Sequence, residues 1–182
     1  TLNNDGMCVG SGGLGWSDEL PQPDFAGKVR CEDMWGMGES QETQGVSPEM
    51  FAEFVFPYQK PLLERFGLNC YGCCEAIDSR WHVIEETPRL RRLSVSPWAD
   101  KAKMAEYLGD RYIYSQKPNP AFLAMDTLDE DLIRKDLRET YTVARNCRLE
   151  LVMKDNHTIR NEPQRAVRWV ELAREEAGRA WH

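Results

Sequence analysis

Segments with the two-residue period of a half-buried strand alternate along this chain with segments of helical period, and that alternation limits the fold more than any single residue does. Strand signals fall in "KVRCEDMWGM" from residue 28, "LNCYGCC" from 68, "RLRRLSVS" from 89, "RYIYSQ" from 111 and "RLELVMK" from 148. Between them lie helix signals. Ser47-Pro48-Glu49 combines a capping residue, a proline suited to the first helical position and an acid at the positive end of the helix dipole. Met50, Phe51, Phe54, Val55, Tyr58, Leu62 and Phe66 then recur at helical spacing, with Pro57 and Pro61 expected to kink or break the run. Thr127-Leu128-Asp129-Glu130 reads as a capping box ahead of a helix that buries Leu128, Leu132, Leu137, Tyr141 and Ala144. A last helix is expected after Asn161, with Val167, Val170 and Ala173 facing inward and Gly178 as its stop. The expected fold is therefore α/β, a parallel sheet of about five strands with covering helices. A closed eight-stranded barrel takes about 250 residues, so the 182 residues here fit an open sheet or part of a barrel.

Residues 1–27 hold six glycines and two prolines with little periodicity and are expected to be a glycine-rich loop segment, followed by one domain over 28–182. The glycines of "GSGGLG" are not followed by the Lys-Ser/Thr of a phosphate loop, which argues against nucleotide binding. A formal net charge of −7, with basic residues scattered among acids, argues against nucleic acid as a partner. No apolar run approaches the roughly 20 residues of a membrane span, so the chain is expected to be soluble and cytoplasmic. Six cysteines are too few to serve as a scaffold for so long a chain and are read as reduced thiols. The start at Thr1, already inside a motif-like segment, is read as that of a fragment, a processed product or a trimmed chain.

In parallel α/β folds the reacting groups gather where strands end. By that rule the strand ends present Glu32 and Asp33, then Cys73, Cys74 and Glu75, then Trp98, then Asn119, and finally Asp155, Asn156 and His157. A thiolate and an imidazole suit zinc, so Cys73 and His157 are candidate ligands, with Glu75, Cys70 or Cys74 open as the third. Cys70 and Cys73 match a CxxC pattern, but strand geometry would send them to opposite faces, which makes a redox motif a weak reading. A carboxylate at such a mouth, Glu32 or Asp33, could act as a general base or bind a cationic group.

The run "GVSPEMFAEFVFPYQKPLLERFG", followed in order by "YGCCE", "SVSPWAD", "YSQKPNP" and "VMKDNHTI", resembles the C-terminal part of the uroporphyrinogen decarboxylase-like superfamily over roughly residues 28–178. The resemblance implies part of a (β/α)8 barrel and two chemistries: cofactor-independent decarboxylation, or zinc-dependent methyl transfer involving a corrinoid protein. It places Cys73 where the methyltransferases carry the cysteine of a His-x-Cys ligand pair, with Tyr71 in the position of that histidine, and it matches His157 to the functional loop after the last strand. The strand ends and the resemblance together give Glu32, Tyr71 and His157 as catalytic candidates, Asp33, Trp98, Asn119 and Asn156 as substrate-binding candidates, and Cys73, Glu75 and His157 as metal ligands. The methyltransferase branch is the first expectation and a decarboxylase the alternative, with a non-catalytic partner-binding half-barrel as a third. The implied partners are a small methyl donor or acceptor, a corrinoid protein, and either the rest of the barrel or a second copy of the chain to cover the sheet edges.

Overall fold

A computed structural model describes residues 17–181. The glycine-rich "GSGGLG" stretch, and residues 1–16 with it, lie outside the described residues. Five strands, β1 (Trp35–Gly38), β2 (Leu68–Tyr71), β3 (Leu90–Val95), β4 (Ile113–Gln116) and β5 (Arg148–Leu151), form one sheet in which every pairing is parallel and the spatial order follows the chain. The connecting helices are α1 (Pro48–Phe54), α2 (Phe56–Leu63), α3 (Trp81–Ile84), α4 (Lys101–Leu108), α5 (Ala121–Ala124) and α6 (Glu130–Val143), and α7 (Gln164–Ala180) follows β5. Crossovers of one hand that always advance to the next strand put their helices on one face, as in a barrel and unlike a doubly wound sheet. The expected α/β architecture with five parallel strands is the one observed. Residues 17–27 contain turns and bends but neither helix nor strand.

The two faces of the sheet differ in chemistry. Tyr71, Leu93, Tyr114 and Leu149 are in register across β2 to β5 and pack with Phe51, Phe56, Leu63, Met104 and Leu108 beneath the helices. Gly36 and Gly38 belong to this helix-covered face: a Cβ on Gly38 would lie 2.6 Å from the Tyr71 ring, and one on Gly36 2.6 Å from Phe66. The opposite face carries Trp35, Leu68 and Cys70 in a small apolar cluster with Leu20, and beside it Arg92, Ser94, Ser115 and Glu150.

Several local expectations change. Ser47 caps α1 as expected, accepting from the Met50 amide, but the long run becomes two helices because Pro57 sits at the start of α2 and the chain breaks at Val55. Pro61 is accommodated inside α2. Of the periodic residues Phe51 is buried as expected, whereas Met50, Phe54, Tyr58 and Leu62 are exposed and Phe56 and Leu63 supply further buried contacts. Asp129 caps α6, and Ile133 rather than Leu132 lies in its core. In α7, Trp169, Leu172 and Ala173 are buried while Val167 and Val170 are exposed, and the helix runs through Gly178. α7 is pinned to α6 by Glu176, whose buried carboxylate accepts from Arg134 and Arg138. No helix of the described residues is long and apolar enough to cross a membrane.

Candidate functional site

The strand ends do not all carry the residues expected of them. β1 begins at Trp35, so Glu32 and Asp33 precede it, in a short 3-10 turn at the opposite end of the sheet from the β2 and β5 loops. Polar residues at the end of the "KVRCEDMWGM" run form the turn, and the apolar and glycine residues after them form the strand. Glu32 is exposed and paired with Arg30 at 2.9 Å. Asp33 is buried and accepts from the backbone amides of Gln22 and Arg30 and from the Arg30 guanidinium. The hydrogen bond from Arg30 does most to hold the Asp33 carboxyl down at about 2. Both residues thus fix the chain entering the sheet rather than line its mouth.

Tyr71 ends β2 on the helix-covered face, where its hydroxyl is 2.6 Å from Gln59 Oε1 and its ring is wholly buried. Burial pushes its phenol far above the ordinary range. That orientation follows from the strand alternation, which puts Cys70 on the polar face and Tyr71 opposite. Glu75 is also structural: Oε1 accepts from the Ser40 amide and hydroxyl at 2.8 and 3.1 Å, and Oε2 from the Cys73 amide at 2.9 Å. One buried carboxylate therefore ties the loop after β1 to the loop after β2. Trp98 is exposed after β3, and Asn119 accepts from the Ala121 amide in the turn before α5. Asn156 and His157 are exposed in the loop after β5.

What the loops after β2 and β5 do bring together is a pair of thiols and a pair of charges. Gly72 makes this possible, since it has a φ of +92° and a Cβ there would lie 3.1 Å from the Ser94 carbonyl oxygen. The chain then places Cys73 Sγ 3.3 Å from Cys74 Sγ. Lys154 Nζ donates to Cys73 Sγ at 3.2 Å, and Cys74 Sγ donates to Asp155 Oδ2 at 2.8 Å. The Lys154 and Asp155 side chains are themselves 3.5 Å apart. Asp155 adopts a left-handed backbone, with φ at +59°, a conformation aspartate tolerates better than most residues. Burial works against the charge of Lys154, but the hydrogen bonds that it donates to Cys73 and Cys74 outweigh it and its pKa is raised. Burial first, then the bond to Asp155, pushes the Cys74 thiol up to about 12.

Around this junction the polar face of the sheet carries further charge. Arg92 is ion-paired with Glu150, and its guanidinium reaches Ser115 Oγ at 3.3 Å. Lys117, one residue past β4, is 2 % exposed and donates to the same Ser115 hydroxyl. Desolvation, reinforced by the nearby positive charge of Arg92, lowers Lys117 to about 7. Arg92, Glu150, Lys117 and Lys154 were not among the candidates from sequence. A signal existed in "LRRLSV" and "IYSQK", where charged and hydroxyl side chains alternate with core residues in a two-residue period.

The zinc expectation finds no assembled ligand set. Glu75 already has both oxygens bonded to Ser40 and Cys73, a lysine ammonium lies against the thiol pair, and among the described residues no three of His, Cys, Asp and Glu are grouped as a metal ion requires. The loop bearing His157 does reach Cys73, but through Lys154 rather than through the imidazole. Comparison of the sequence with protein-family models and with curated proteins gives no match in either case.

Proposed function

We propose that this chain is the C-terminal part of an enzymatic α/β barrel of the uroporphyrinogen decarboxylase-like superfamily, of its methyltransferase branch, acting on a small molecule at the mouth formed by the strand ends. The observation that carries this reading is Lys154 Nζ at 3.2 Å from Cys73 Sγ, which sets a cationic hydrogen-bond donor beside a sulfur able to act as the nucleophile toward a methyl group. In that step the Cys73 sulfur forms a bond to the methyl carbon, while the bond from that carbon to its carrier breaks and the carrier keeps the electron pair. A corrinoid carried by a partner protein belongs to this reading, although no residue of this chain is assigned to it. No step is routed through zinc. Strands β1 and β5 are the two edges of the sheet among the described residues, and the reading supplies further strands of the barrel to cover them.

The test is methyl transfer from methylcobalamin, followed by the change in the corrinoid spectrum and by mass mapping of the methylated residue. Methyl label on Cys73, lost in Cys73→Ser and slowed in Lys154→Met, is the expected result. Label distributed over exposed cysteines, or none at all, overturns the assignment.

One observation favours the decarboxylase as a second reading. Arg92 and Lys154 bring two cationic side chains to the polar face and its mouth, with the buried Lys117 amine beside Arg92, as recognition of an acidic substrate requires. Release of carbon dioxide from an acidic tetrapyrrole by the purified protein, reduced in Lys154→Met, would support it over methyl transfer.

A further inference from the structure

The two sulfur atoms at the mouth belong to adjacent residues, and each is bonded to a different charge from the same loop. Cys73 Sγ accepts from the Lys154 ammonium and Cys74 Sγ donates to the Asp155 carboxylate, with 3.3 Å between the sulfurs. A positive group beside one thiol and a proton acceptor beside the other is the division of labour that a dithiol needs for oxidation to a disulfide.

We propose that Cys73 and Cys74 form a redox-active vicinal dithiol that is oxidised by hydrogen peroxide, and that its closure releases the loop after β5 from the loop after β2. The Cys73 thiolate attacks one peroxide oxygen, so that a sulfur–oxygen bond forms and the oxygen–oxygen bond breaks. The departing hydroxide takes a proton from Lys154 and leaves as water. Cys74 then passes its proton to Asp155 as its sulfur attacks the Cys73 sulfur, forming the disulfide and breaking the sulfur–oxygen bond. The second hydroxide takes the proton from Asp155, and solvent restores the proton to Lys154. The two thiols lose two electrons, and the peroxide gains them as two waters.

Closure removes the S–H that Cys74 donates to Asp155 and ties the Cys73 sulfur that accepts from Lys154 into a disulfide. The hydrogen bond from Cys74 to Asp155 is then lost and the sulfurs that accept from Lys154 are altered. The proposal shares Cys73 with the methyl-transfer reading but does not rest on it, because its measurement is the oxidation state of the pair and not methyl transfer.

The experiment treats the full chain with near-stoichiometric hydrogen peroxide, unfolds it in denaturant, alkylates the remaining thiols and maps the peptides by mass spectrometry. The expected product is a Cys73–Cys74 peptide that lacks a pair of hydrogens, resists alkylation and is restored by dithiothreitol, while Cys31, Cys70 and Cys147 stay alkylatable. Lys154→Met and Asp155→Asn should each slow closure by about tenfold, and Cys74→Ser should leave a sulfenic acid at Cys73 that dimedone traps. Limited proteolysis should speed up within residues 152–163 on oxidation. Cys73 and Cys74 that both remain alkylatable, or that go only to the sulfinic acid, overturn the dithiol. An unchanged rate in Lys154→Met overturns the assigned roles, and unchanged proteolysis overturns the release of the loop.

Discussion

Lys117 shows how the sheet geometry decides the behaviour of one side chain. β4 turns every second residue to the polar face, so a lysine one step beyond its end is carried into a buried position with a serine hydroxyl and an arginine for company. Its folded value of about 7 lies below the ordinary 10.5, so between these limits the unfolded chain binds more protons than the folded one. Stability should therefore rise with pH across that window, by an amount on the order of a few kcal/mol, and the penalty should be complete below it. Lys117→Met should flatten the rise, as measured by urea denaturation at pH 6 and pH 9. A slope unchanged by the substitution would show that Lys117 is not the group responsible. Gly72 belongs to the same scale. Gly72→Ala forces a left-handed backbone and a close approach to the Ser94 carbonyl, and should lower Tm by about 5 °C or more.

Helices α1 and α2 show how far a periodic pattern can be read. The existence of helical structure after Ser47, its cap and the disruption by Pro57 were legible in the sequence, because capping and proline chemistry are local. The buried face was legible only at Phe51, since the break at Val55 resets the direction in which each helix meets the sheet, and Met50, Phe54, Tyr58 and Leu62 are left outside. Phe51→Ala should then cost about 3–5 kcal/mol, as for other large core side chains, whereas Tyr58→Ser should leave the unfolding midpoint almost unchanged. Chemical denaturation of the two variants separates these positions, and equal losses would contradict the observed packing. The same limit explains the site. Cys73, Cys74 and the loop holding Asp155 could be picked out because strands end near them. Glu32 and Asp33 could not be assigned to the correct end of β1, because a short 3-10 turn and a strand share the same mixed composition.

The whole sheet is a set of sequential crossovers, and the expected α/β class follows from the alternation that the sequence displays. Partners along the chain axis are another matter, since the lysine that meets Cys73 lies 81 residues away and no local pattern signals it. At this scale α6 and α7 are joined by the Glu176 carboxylate, which the hydrogen bond from Arg138 does most to hold down at about 2. Stability from this group is present above the ordinary glutamate value of 4.5 and is lost as pH falls through about 2. Glu176→Gln should lower Tm by about 5 °C at neutral pH and leave a smaller difference in strong acid, where protonation of the wild-type residue already weakens the arginine contacts. A Tm difference independent of pH would assign the loss to packing. Beneath the mouth, the carboxylate of Glu75 has a wider effect than its size suggests. Because it grips the backbones of Ser40 and Cys73 together, any ligand or substitution that displaces the segment following the first strand will drag the Cys73 sulfur with it, making that segment a handle on a side chain it never touches.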